Sequence, residues 1–330
     1  MNTLYLSAQG CYLCLEKDLL IVKKNNQVLN KVQLPLIEQV LIFGKSQITT
    51  QAIRACLWRN IPIVYLSRMG YCYGRIIAIE RGYRQLSRYQ QQLTFTDKLI
   101  TARTIIKGKL INQKVILQRR QKSNDNLDFS QCFNILNYLI DKINSAENIE
   151  KIMGYEGAGA SAYFSVFGQC INNPNFIFYA RSRRPPGNAV NALLSFGYQI
   201  LWNHLLSLIE LQNLDPYYGC LHQNNPSHAT LASDLIEEFR SPLIDSLVLY
   251  IINRNLIHGV DDFTYKNGGC YLNNNGRKKF LSSFLQRMEE LIDTGKEQKQ
   301  PRWDLLVRQV KRYKDFVYNP ILGYQPYQIR

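Results

Sequence analysis

The sequence predicts an α+β protein: a small N-terminal β-rich domain over residues 1–86, followed by a larger all-α-helical domain over residues 87–330. Three observations carry this expectation. The chain has 330 residues, more than one hydrophobic core comfortably serves, so two domains are expected. Up to about residue 86 the apolar residues come in short runs rich in Val and Ile, with turn residues between them. Beyond that point they recur at helical spacing.

The N-terminal strands are expected at Leu19–Lys24 (LLIVKK), Gln39–Phe43 (QVLIF), Ile61–Leu66 (IPIVYL) and Gly74–Glu80 (GRIIAIE). Asn25–Gln27 suits a hairpin turn, because Asn tolerates left-handed backbone. A short helix over TTQAIRACLWRN, capped by Thr49 or Thr50, precedes the Ile61–Leu66 strand. From Asp97 to Lys122, Leu99, Ala102, Ile106, Leu110 and Ile116 share one stripe of a helix. Lys107, Lys109, Lys114, Arg119 and Arg120 are then expected to project away from it. Lys122–Asn126 reads as a loop. Further helices are expected at about 131–144, 147–169, 188–213, 229–239, 242–255, 276–294 and 303–317. The Gly- and Asn-rich run KNGGCYLNNNG (Lys266–Gly276) separates two of them. The last segment, NPILGYQPYQIR, is punctuated by Pro and reads as extended.

Composition narrows the function. Apolar residues make up 46% of the chain, enough for real cores. No uninterrupted apolar run reaches the ~18 residues of a membrane span. The N-terminus lacks a basic start followed by an apolar block, so no signal peptide is read there and a cytoplasmic protein is expected. The eight cysteines then read as reduced thiols. Cys11 and Cys14 form a C-x-x-C, but the second pair of a zinc ribbon is absent, so they read as core and strand residues. Forty Lys plus Arg against 25 acids leave a formal charge of +15, which attracts polyanions. Without a membrane segment or lipidation signal, the polyanion is expected to be nucleic acid.

Against that charge, clustered acids stand out. Asp234, Glu237 and Glu238 fall on one arc of the helix LASDLIEEF, and His222 lies on the preceding loop, GCLHQNNPSH. Acids in a first helical turn often need no explanation beyond the macrodipole. In a nucleic-acid binder, however, they repel the ligand unless a cation bridges the two. A further acid, Glu156, sits among the small residues of IMGYEGAGASAYFSVF and should face a cleft, a cation or an Arg. One imidazole with several carboxylates is an oxygen-rich donor set suited to Mg2+ or Mn2+. Arg181, Arg183 and Arg184 precede Pro185-Pro186 and could grip phosphates. The basic helices Lys107–Arg120 and Arg308–Lys314 offer further phosphate contacts, among them Lys107, Lys114, Arg308, Lys311 and Arg312. His204 and His258 read as packing residues rather than ligands, and His228 as a loop or capping residue.

These segments, in this order, resemble the spacer-acquisition integrases, the first of the numbered CRISPR-associated proteins. The resemblance rests on GKLINQKVILQRR (Gly108–Arg120), MGYEGAGASAYF, SRRPPGNAVNALLSFGYQIL, DPYYGCLH, LASDLIEEFRSPLIDSLV and GGCYLNNNGRKKFLSSF, and covers essentially the whole chain. It implies an N-terminal β-domain for dimerisation and DNA contact and a C-terminal helical catalytic domain. It also implies a divalent metal, Mg2+ or Mn2+, held by Glu156, His222 and Glu237, with Asp234 close behind. Spacing alone does not choose between Glu237 and Glu238. The implied reaction is attack by the 3′-hydroxyls of a short double-stranded prespacer on phosphodiesters at the borders of a CRISPR repeat. The implied assembly is a homodimer, two of which flank a dimer of the small second CRISPR-associated protein in a heterohexamer. One departure is visible: Asn188-Ala189 stands where the family often has Asp-Pro, and Asn188 can still cap the helix. Competing readings are a metal-dependent nuclease of branched DNA, a non-catalytic nucleic-acid-binding protein, and an RNA-processing enzyme.

Overall fold

The structure, a computed structural model, describes residues 3–6, 9–67, 72–79, 83–222, 228–293 and 299–329. The chain divides into two compact units, Met1–Gln85 and Leu86–Arg330.

The first unit contains β1 (Thr3–Leu6), β2 (Tyr12–Glu16), β3 (Leu19–Lys24), β4 (Gln27–Gln33), β5 (Gln39–Phe43), β6 (Gln47–Ile48), α1 (Thr50–Trp58), β7 (Ile63–Leu66) and β8 (Cys72–Ile76). They form two four-stranded sheets, ordered β1-β5-β7-β8 and β4-β3-β2-β6. Strand β5 runs parallel to both β1 and β7 and is buried at every position, which is why its Val40–Phe43 run is continuously apolar rather than alternating. The β3–β4 hairpin turns on Asn25 and Asn26, both left-handed at φ 48° and 63°. Strand β4 is exposed almost throughout and has no apolar alternation, so periodicity does not reveal it. Helix α1 is capped by Thr49, whose Oγ1 accepts from the Ala52 amide at 3.3 Å. Leu13, Leu20, Val40 and Ile63 pack with Ala52 and Cys56 into one core that draws on both sheets and α1. Cys11 lies in that core, Cys14 is half-buried on β2, and all eight cysteines are free thiols.

The second unit is built on α2 (Tyr83–Gln91), α3 (Phe95–Lys122), α4 (Ser130–Lys142), α5 (Ile149–Phe167), α6 (Ala189–Leu211), α7 (Thr230–Ile236), a π-helical turn (Arg240–Asp245), α8 (Ser246–Asn253), α9 (Asn274–Glu289) and α10 (Trp303–Tyr318). It is mostly helical rather than wholly so. A hairpin of β9 (Phe263–Lys266) and β10 (Gly269–Leu272) occupies the run read as a Gly- and Asn-rich separator, and β11 (Leu291–Ile292) pairs with β12 (Gln300–Pro301). Asn267 and Gly268, left-handed at φ 51° and 71°, make the β9–β10 turn.

Helix α3 is the centre of this unit. Thr94 and Asp97 close its N-terminus reciprocally: Thr94 Oγ1 accepts from the Asp97 amide at 3.1 Å, and Asp97 accepts from the Thr94 amide at 3.0 Å. The expected stripe of Leu99, Ala102, Ile106, Leu110 and Ile116 is buried. Neighbours on several sides, α4, α5, α7 and the π-helical turn, also bury Lys109, Asn112 and Gln113. Lys109 therefore does not project outward as expected; it is 3% exposed. Helix α6 is long and apolar enough by composition to cross a membrane, but most of that surface is packed inside the unit. Asn188 caps it, accepting from the Asn191 amide at 2.9 Å. Helix α7 ends at Ile236, and the gap expected between helices 229–239 and 242–255 is a wide turn that leads into α8.

Candidate active site

Two segments deliver acids and a third delivers the cation between them. Helix α5 presents Glu156, the turn after α7 presents Glu237, and α3 sends Lys109 between them. The Lys109 ammonium pairs with Glu156 Oε1 and lies 2.6 Å from Glu237 Oε2. Beyond this charged contact no other donor among the described residues reaches the buried Glu237 Oε2. Glu237 Oε1 meets the Arg240 guanidinium at 2.9 Å. Burial alone would raise the Glu237 carboxyl, but the Arg240 and Lys109 charges outweigh it and hold it at about 2. The next residue is treated oppositely. Glu238 accepts from the Tyr324 hydroxyl and the Tyr327 amide, both at 2.5 Å, yet burial pushes its carboxyl up to about 8. Glu237 and Glu238 thus have separate partners, although the sequence sets them on one arc.

Asp234 is fully buried and organises the loop before it. Its Oδ2 accepts from the Cys220 and Leu221 amides at 2.5 and 2.9 Å, and its Oδ1 from the His222 amide at 3.0 Å. Gly219 is required for this approach: a Cβ there would stand 2.5 Å from Asp234 Oδ2. The same carboxylate lies 2.7 Å from His222 Nδ1, fixing the ring and leaving Nε2 as the free nitrogen. Burial lowers the His222 pKa, but the hydrogen bond and charge of Asp234 more than restore it, so the net shift is upward.

Two pairs therefore result, Glu156 with Glu237 through Lys109 and His222 with Asp234, and the charges of His222 and Glu237 are felt by each other. Among the described residues, no three His, Cys, Asp or Glu side chains converge closely enough to hold a metal ion. The cation between Glu156 and Glu237 is the Lys109 ammonium. The donors still fit a divalent cation in kind: two carboxylates already gathered around one positive charge, one buried oxygen with no donor but that ammonium among the described residues, and an imidazole whose other nitrogen is anchored. Lys109 and Arg240 were missed by sequence reasoning. A signal for Lys109 did exist, since it lies three residues after Ile106 and four after Ile105, on the buried stripe itself.

The remaining candidates disperse. Arg181 turns inward, donating to Asn191 Oδ1 and Ser195 Oγ at 2.9 Å each, and lies 5.6 Å from the Tyr198 ring. Arg183 and Arg184 beside it are exposed. Lys107 and Lys114 reach Asn144 and Asn137 at 3.2 and 2.6 Å. On α10, Arg308 is half-buried, whereas Lys311 and Arg312 are exposed. His204 is buried against Phe284 and Trp303, His228 hydrogen-bonds Ser233 at 2.7 Å, and the His258 amide donates to Asp262.

Known proteins resemble this chain in sequence and in fold. The family model described as CRISPR associated protein Cas1 matches residues 4–286. A CRISPR-associated endonuclease Cas1 from Chlorobaculum tepidum is 32% identical over 307 residues, covering 89% of this chain and 88% of its own. Among solved structures, a partial Cas6-RT-Cas1–Cas2 complex superposes with a TM-score of 0.79 at 25% identity, over 100% of this chain and 99% of its own. A casposase bound to integration product shares the fold, with a TM-score of 0.75 at 21% identity over 97% of this chain and 91% of its own. The extent of the family match and the near-full-length relative together make this chain a member of the Cas1 family of CRISPR-associated proteins.

Proposed function

We propose that this chain is a metal-dependent DNA integrase of CRISPR adaptation, joining a short double-stranded prespacer to the borders of a CRISPR repeat. The observation that carries the reading is the meeting of Glu156 and Glu237 around one buried positive charge, beside a His222 ring fixed by Asp234. Endonuclease relatives and the structural likeness to Cas1–Cas2 and casposase assemblies support it.

Glu156, His222 and Glu237 would hold Mg2+ or Mn2+. When bound, such an ion polarises a phosphodiester and stabilises the charge that develops on the leaving oxygen. The protein's own residues do the rest. Asp234 keeps the His222 ring oriented with Nε2 free. Arg240 keeps Glu237 ionised, so that carboxylate is a donor throughout the neutral range. Exposed cations such as Arg183, Arg184, Lys311 and Arg312 hold the sugar–phosphate backbone. In the reaction the prespacer 3′-oxygen bonds to phosphorus as the repeat's bridging 3′-oxygen leaves and takes up a proton. One phosphodiester replaces another, so no enzyme nucleophile is needed. Cas2, the small second CRISPR-associated protein, is the proposed partner of the homodimer.

The test supplies prespacer DNA, a supercoiled plasmid bearing the repeat, Cas2 and Mn2+. Glu156→Ala and His222→Ala are each expected to lose at least ~100-fold in joined product while duplex binding stays within about threefold. Joining at the wild-type rate by either variant would overturn the proposal. Plasmid cutting by the wild type without joining would favour the nuclease reading.

A further inference from the structure

Lys109 is an unusual lysine. Its side chain is 4% exposed, and burying an ammonium is costly unless carboxylates surround it. Here two do, from two different elements: Glu156 on α5 and Glu237 after α7. They are also the two carboxylates read above as metal ligands. Glu237 has a second cation in Arg240 on its other oxygen, so it remains compensated without Lys109. Glu156 has no other ion-pair partner among the described residues, and the Lys109 ammonium is what ties it to Glu237.

Two cations that need the same carboxylates exclude each other. A divalent ion added to a pair already holding an ammonium gains less than one added to a bare pair, because the ammonium's interaction must be surrendered. The coupling is reciprocal: whatever Lys109 takes from the ion's affinity, the ion takes from Lys109's contribution to the fold.

We propose that Lys109 is a resident counter-cation, which holds Glu156 and Glu237 together in the metal-free protein and is displaced when the divalent ion binds. The proposal rests on the reading of those two carboxylates as ligands. It makes Lys109 a positioning residue whose cost is a weaker ion affinity and whose benefit is an assembled site before the ion arrives.

The experiment measures Mn2+ binding without DNA, by electron paramagnetic resonance of the free ion, together with melting temperature in EDTA and in saturating Mn2+. Wild type, Lys109→Met, Lys109→Gln and Glu156→Ala are compared. Lys109→Gln keeps an N–H donor of similar length without the charge and guards against a Met variant that does not fold. The charge-free variants are expected to melt below wild type in EDTA, to bind Mn2+ about tenfold tighter or more, and to show a larger Mn2+-induced rise in melting temperature. A Met variant that folds only in Mn2+ and unfolds on chelation supports the proposal as well. Unchanged or weaker Mn2+ affinity in folded Lys109→Gln, with Glu156→Ala losing the ion, overturns the counter-cation alone. Wild-type Mn2+ binding that survives in Glu156→Ala overturns the ligand reading and the counter-cation together.

Discussion

Burial drives the Glu238 carboxyl up to about 8 even though a tyrosine hydroxyl and a backbone amide donate to it, while the Arg240 and Lys109 charges hold the equally buried Glu237 at about 2. Neighbouring carboxyls driven apart in this way have different work to do. Glu238 is a structural acid: it ties Tyr324 and Tyr327 of the C-terminal segment to the turn that carries Glu237. A neutral isostere should serve there and fail next door. Glu238→Gln is expected to keep strand transfer within about fivefold of wild type, while Glu237→Gln, which removes an anionic donor, drops it at least ~100-fold. Quantified joining assays on the two variants decide this. Spacing could not have drawn the distinction, since it depends on the fold placing Lys109 and Arg240 at Glu237 and not at Glu238. His204 makes a second residue-scale case. Burial lowers its pKa from 6.5 to about 4, so it is neutral in the fold and protonates more readily when unfolded. The folded pKa is depressed, so its stabilisation is complete above pH ~6.5 and is lost as the pH falls toward 4, by about 3 kcal/mol in all. Urea midpoints at pH 7 and pH 4.5 should show His204→Phe losing less stability across that interval than wild type.

Among the elements, α5 shows how far a small-residue pattern can be read. GYEGAGASA implies close approach, and at one position this holds: a Cβ on Gly159 would lie 2.3 Å from Leu110 Cδ2 of α3. That close approach brings α5 onto α3 and so brings Glu156 to Lys109. Gly154 and Gly157, by contrast, face open space. The same chemical signal therefore marks a packing seam and a bare surface, and only the position of α3 separates them. Thermal melts of two variants should have opposite signs. Gly159→Val is expected to destabilise by ~2–3 kcal/mol through overpacking, while Gly157→Ala gains about 0.5–1 kcal/mol from helix propensity. The C-terminal segment is the element the sequence shows least. Its Pro-punctuated run reads as extended, but nothing local reveals that Asn112 of α3 clamps it, donating to Tyr327 O at 2.9 Å and accepting from the Ile329 amide at 3.0 Å. The π-helical turn and the β9–β10 hairpin were illegible for a related reason: Pro242 and a short polar-alternating run read locally as breaks.

For the molecule as a whole, the legible feature is charge and the illegible one is which charges are free. The excess of +15 pointed to a polyanion, and the two-part texture of the chain pointed to a sheet-rich unit and a helical one. Burial then redistributes the cations. Lys109, Arg240 and Arg181 are committed to internal partners, so they add to the net charge without offering themselves to a ligand. Arg183, Arg184, Lys311 and Arg312 remain exposed. Each phosphate neutralised by such a side chain releases counterions and adds about 0.9 to the steepness of log affinity against log salt. Replacing Arg183 and Arg184 together with Ala should therefore make that dependence shallower by about 2 for a prespacer duplex, with little change in melting temperature. Arg181→Ala should do the reverse: it removes an anchor held by Asn191 and Ser195, so it costs stability and leaves the slope nearly unchanged. Fluorescence anisotropy across a salt series of roughly 50 to 300 mM, paired with melts of the same variants, separates the two effects. Equal slopes for the double variant and wild type would mean that the exposed arginines of this loop do not touch DNA, leaving the +15 to be exerted through other surfaces.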